Sequence, residues 1–172
     1  MPAMVSITSA LFVSGMFAAA ASDLARRRIP NALNVSIFLV GLLAQAAGGG
    51  PAALGQGLAG AALGFGLLLP LFHVRWIGGG DVKLVVAAGA WLGPAAIFWA
   101  TAFGLAGGGV TAGVLAVANG PAFRAEVATN LKNAALSMSF PTAPRREGGK
   151  VVPLALALAG AAIGMYFAQA AA

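Results

Sequence analysis

Gly78-Gly79-Gly80-Asp81-Val82-Lys83-Leu84 sets a carboxylate directly after a glycine run, and the residues from Val85 to Leu92 extend it as an apolar stretch ending at Gly93-Pro94. Only three other acidic residues exist, Asp23, Glu126 and Glu147, and Asp23 closes another apolar run. Whether such runs cross a bilayer decides the fold. The chain is 172 residues long, 60% hydrophobic and 8% charged, with a mean hydropathy of +0.91. A soluble domain carries about 25% charged residues, so the chain reads as an integral membrane protein. An ionisable group at the edge of a spanning stretch is costly and marks a functional site.

Working outward from Asp81, hydropathy gives six apolar segments, at about 3–22, 32–47, 52–74, 82–92, 95–118 and 151–170. Turn chemistry separates them: Ile29-Pro30-Asn31, Gly48-Gly49-Gly50-Pro51, the Gly78–Gly80 run and Gly93-Pro94. The expected fold is all-α, a single membrane domain over 1–172 built as a six-span helix bundle. Loops 1–2, 3–4 and 5–6 then hold all ten Lys and Arg residues, with Lys83 counted in its loop. By the positive-inside rule these loops face the cytoplasm and both termini face out. An alternative for residues 1–22 is a cleaved signal peptide, but the basic residues follow the apolar run rather than precede it. The isoelectric point near 11.3 is thereby explained as topology, and no nucleic-acid partner is expected.

The fourth segment has eleven residues and reaches ~17 Å at 1.5 Å each, against a hydrocarbon core of about 30 Å. Either it continues past Pro94, or the glycine run dips into the membrane and seats Asp81 below its surface beside water. The second is favoured. Between 119 and 148, Val127, Leu131, Ala134, Ala135 and Met138 recur at helical spacing, which predicts an amphipathic helix on the cytoplasmic interface. Glycines spaced four apart, at Gly60/Gly64, Gly104/Gly108, Gly109/Gly113 and Gly160/Gly164, predict close helix packing.

The absence of cysteine and the single histidine, His73, remove thiol chemistry and His-rich metal clusters. Asp23 and Asp81 are 58 residues apart, yet this topology puts them at one membrane level. Two neighbouring carboxylates share a proton and titrate as a unit. One can take a proton from water while the other polarises a carbonyl, which is hydrolysis without a metal or cofactor. Gly78, Gly79 and Gly80 would admit unusual dihedrals and let a substrate backbone approach. The plainer readings are an N-cap for Asp81 and an ion pair with Arg26 or Arg27 for Asp23. Lys83 would snorkel to the interface or tune Asp81.

Gly78-Gly79-Gly80-Asp81-Val82-Lys83-Leu84 resembles the Gly-x-Gly-Asp-x-Lys-Leu signature of the type IV prepilin peptidases. Asp23 followed by Ile29-Pro30-Asn31 resembles that family's first-aspartate motif, and Val152-Pro153 its proline-containing last helix. The resemblance implies a polytopic aspartic endopeptidase of the bacterial cytoplasmic membrane. Its implied role is to remove the leader of a prepilin or pseudopilin at the cytoplasmic face. Asp23 and Asp81 would be catalytic, with Gly78, Gly79, Gly80, Lys83, Ile29, Pro30 and Asn31 shaping the site. Bifunctional members carry paired CxxC motifs that this chain lacks, so N-methyltransferase activity is not expected. The small size resembles the peptidase-only members of Flp-type, tight-adherence pilus systems. The competing reading is a non-enzymatic membrane component, such as a transporter or secretion-platform subunit, that uses the aspartates for ion or proton transfer.

Overall fold

Two glycine–proline steps shape the chain. The computed structural model describes residues 2–74, 76–118 and 154–171, together with positions 120, 121, 125, 128, 129 and 132. Four helices organise them: α1 (Pro2–Arg26), α2 (Asn31–His73), α3 (Gly79–Ala118) and α4 (Leu154–Ala171). The all-α expectation holds among the described residues, and all four helices are long and apolar enough to cross a membrane. The amphipathic segment expected between 119 and 148, Arg75 and Val152-Pro153 fall wholly or largely outside the described residues.

The expected six separate segments are corrected to four continuous elements. Segments 32–47 and 52–74 merge into α2, and segments 82–92 and 95–118 into α3. Each long helix is broken at one residue only, Gly50 (φ 63°, ψ −152°) and Gly93 (φ 71°, ψ 178°). Only glycine occupies that backbone region at low cost. Each is followed by a proline, whose fixed φ suits the first turn of the next helical leg.

The breaks turn the chain back on itself. A Cβ placed on Gly57 would lie 3.2 Å from Leu42 Cδ2 and 3.4 Å from Gln45 Cγ, although an unbroken helix would separate Gly57 from Leu42 by about 22 Å. A Cβ on Gly64 would meet both Val85 (3.0 Å) and Ile97 (3.4 Å), residues that an unbroken α3 would hold about 18 Å apart. Pro94 has no N–H, so the carbonyls ending the first leg of α3 need other donors. The Gln45 side chain donates to the Trp91 carbonyl (2.8 Å) and the Gln169 side chain to the Leu92 carbonyl (3.1 Å).

α3 is the central element: 72% of its most apolar window is buried, against 22%, 17% and 22% for α1, α2 and α4. Its Leu84 and Ile97 join Phe12, Met16 and Leu68 as the largest fully buried side chains. Trp91 packs against Phe12 (ring centroids 5.2 Å) and donates its indole N–H to the Ile37 carbonyl at 2.8 Å. Gly41 leaves room for that ring, since a Cβ there would lie 2.6 Å from it. Of the four spaced glycine pairs, Gly60/Gly64 meets α3 and Gly104/Gly108 meets α4. Among the described residues, nothing lies within 4 Å of a Cβ placed on Gly109, Gly113, Gly160 or Gly164. Glycine spacing marks a face that can be approached, and only a facing helix makes it an interface.

Candidate active site

The corner after α1 positions Asp23. Arg27 takes a left-handed φ of 51°, and its N–H donates to the Asp23 carbonyl at 2.7 Å. Ser22 Oγ donates to the Arg28 carbonyl (2.9 Å), closing the turn from the other side. Ile29 is then buried, and the Pro30 carbonyl accepts from the Leu33 and Asn34 N–H groups (3.1 and 3.2 Å), which starts α2. The side chain of Asp23 is half-buried. Among the described residues it forms no ion pair with Arg26 or Arg27, so the plainer reading of that aspartate is not met.

The glycine run is the first turn of α3, which corrects two expectations. Gly79 and Gly80 are helical, and none of Gly78, Gly79 and Gly80 has a positive φ. The run therefore stores no unusual dihedral, and it leads into α3 as regular helix rather than as irregular backbone. The fourth segment gains a turn, and the leg from Gly79 to Gly93 reaches about 22 Å at 1.5 Å per residue. Gly78, rather than Asp81, takes the N-cap position. Its carbonyl accepts from the Asp81 and Val82 N–H groups (3.1 and 3.3 Å), while its own N–H donates back to Asp81 Oδ2 (3.2 Å). This reciprocal bond is the third-residue half of a capping box. It fixes one carboxylate oxygen beside the positive end of the helix dipole.

The two motifs meet at this end of the molecule. The Lys83 ammonium donates to Asn31 Oδ1 at 2.8 Å, an exposed bond that ties the two motifs together. Ile29 lies in ordinary contact distance (3.8 Å) of a Cβ built on Gly80. No group of three or more His, Asp or Glu side chains able to hold a metal occurs among the described residues.

Two hollows adjoin the site. One, of about 440 Å³, is bounded by Arg26, Arg28, Ile29, Pro30 and Asn31. The other, of about 650 Å³, is walled by both legs of α2 and by Gly79, Val82 and Lys83 from the turn that carries Asp81. Asn34 lines it and was not anticipated from the sequence. It is 3% exposed, and neither atom of its amide has a hydrogen-bond partner. An Asn inside an apolar span was the available signal.

Comparison with curated proteins gives no match, and none of the solved structures matches. The family model of the type IV leader peptidases matches residues 10–117. That stretch contains Asp23, the Ile29-Pro30-Asn31 corner and the Gly78–Leu84 turn, and the chain belongs to the type IV leader peptidase family.

Proposed function

We propose that this chain is a membrane-embedded aspartic endopeptidase that removes the leader of a type IV prepilin, of the Flp type, at the cytoplasmic membrane face. The observation that carries the reading is the contact between the two motifs, through the Lys83–Asn31 bond (2.8 Å) and Ile29 against Gly80 (3.8 Å), with Asp23 and Asp81 as half-buried carboxylates from separate helices at that same end. Their neighbours are consistent with hydrolysis by such a pair. Asp81 is held through one oxygen by the Gly78 N–H, which leaves the other for water or for Asp23. The ionised member takes a proton from water as it attacks the scissile carbonyl, and the protonated member hydrogen-bonds the carbonyl oxygen. The proton then passes to the leaving amine as the tetrahedral intermediate collapses. No covalent enzyme intermediate is needed.

In this reading the four helices would make six spans. Each leg of α2 and α3 counts as one, with the breaks at Gly50 and Gly93 on the side opposite the aspartates. Both termini would then face outward. The excess of Lys and Arg near the α1–α2 and α2–α3 corners favours a cytoplasmic site.

The test is co-expression with a tagged Flp-type prepilin, following the size of the tagged product. Leader removal is expected with the wild-type chain and not with Asp23→Asn or Asp81→Asn. Processing by both variants at the wild-type level would exclude the aspartate mechanism. A non-Flp prepilin processed in preference would exclude the Flp assignment.

A further inference from the structure

We infer that the 650 Å³ cleft beside Asp81 receives an apolar segment of the peptide substrate, and that the Asn34 side-chain amide hydrogen-bonds to that segment's backbone. The inference rests on the proposed peptidase reading and adds to it a binding surface and a specificity-determining residue. Four large apolar side chains that line the cleft are exposed: Val35 (53%), Phe65 (47%), Leu69 (42%) and Phe72 (46%). The same cleft is edged by Gly79, Val82 and Lys83, so a chain lying in it passes beside the turn that carries Asp81.

A lipid tail would satisfy those walls, but not Asn34. The Asn34 amide offers donors and acceptors, none of them used by the protein. Buried polar groups in native proteins are hydrogen-bonded, and in an apolar setting an unpaired one is costly. An acyl chain has neither donor nor acceptor. A peptide that is not yet helical near its cleavage point has a free N–H and C=O on each residue. The amide lies at the cleft wall, covered by its neighbours, so the inferred bond requires the occupant to part them.

The test uses the full chain in membranes with a tagged Flp-type prepilin. A photo-crosslinking residue replaces Val35 or Phe65 in an Asp81→Asn background, with Leu43, which is 68% exposed and not among the cleft-lining residues, as control. Capture of the prepilin from Val35 and Phe65 well above Leu43 is expected. Equal capture from all three, or capture of lipid alone, overturns the cleft assignment. In the active enzyme, Asn34→Leu is expected to raise KM about tenfold with little change in kcat, the signature of a lost binding contact. Its thermal stability should not fall, because no partner is lost. An unchanged KM overturns the role of Asn34. Val35→Trp, which fills the cleft from its rim, should raise KM likewise and keeps the test decisive if Asn34→Leu folds poorly. Cleavage by Asp81→Asn at the wild-type rate would instead count against the aspartate mechanism, and the crosslinking result would stand independently of it.

Discussion

At the scale of single residues, the glycines before Asp81 are not equivalent. A Cβ on Gly78 would lie 3.2 Å from Asp81 Oδ2, whereas one on Gly80 meets only the Ile29 side chain at 3.8 Å. Gly78→Ala therefore pushes on the carboxylate, and prepilin cleavage should fall by roughly tenfold, in line with displacement of an acid–base group worth ~10²–10⁴ in rate. Gly80→Ala should cleave nearly as well as wild type and fold slightly better, because alanine favours a helix over glycine by about 0.5–1 kcal/mol. Equal losses in both variants would show that the turn, rather than the carboxylate, is what the glycines protect. Lys83 is tied to Asn31 at an exposed position. Lys83→Met should cost no more than about 1 kcal/mol of stability, measured by thermal melting in detergent.

At the scale of helices, stability concentrates at the breaks. Gly50→Ala and Gly93→Ala force a side chain into a backbone region essentially reserved for glycine, and each should lose about 1–3 kcal/mol. Gly55→Ala and Gly66→Ala, in helical positions with nothing within 4 Å of the added carbon, should be neutral or stabilising. Thermal melting of the four variants separates the groups; a uniform response would contradict the fold-back at Gly50 and Gly93. Gln45→Leu leaves the Trp91 carbonyl unpaired and should cost about 1–3 kcal/mol. Much of this was legible in the sequence. Hydropathy and the Gly-Pro steps located the reversals, and the motifs located Asp23, Asp81 and the Ile29-Pro30-Asn31 corner. What escaped depends on partners remote in sequence. A glycine run looks the same whether it is a strained entry or the first turn of a helix. Only the bond from the Gly78 N–H to Asp81 Oδ2 distinguishes them. Nor does the spacing of Gly109 and Gly113 reveal that, among the described residues, nothing lies within 4 Å of a Cβ placed there.

At the scale of the whole molecule, the account places the corners carrying Asp23 and Asp81 on one membrane side and the Gly50 and Gly93 breaks on the other. The chain contains no cysteine, so single cysteines report sidedness without background. Cysteines at Arg28 and Trp76 should react with an impermeant maleimide only from the cytoplasmic side, and one at Gly49 only from outside. The opposite pattern would invert the proposed topology. The buried centre is α3, and the corner after α1 sets Ile29 against its first turn. The most direct test of the central claim is the single-turnover rate of prepilin cleavage by Asp23→Asn, Asp81→Asn and the double variant. If the two aspartates act as one unit, each single change lowers the rate at least ~10²-fold and the double change lowers it no further. A wild-type rate in either single variant, or losses that multiply in the double, would contradict it.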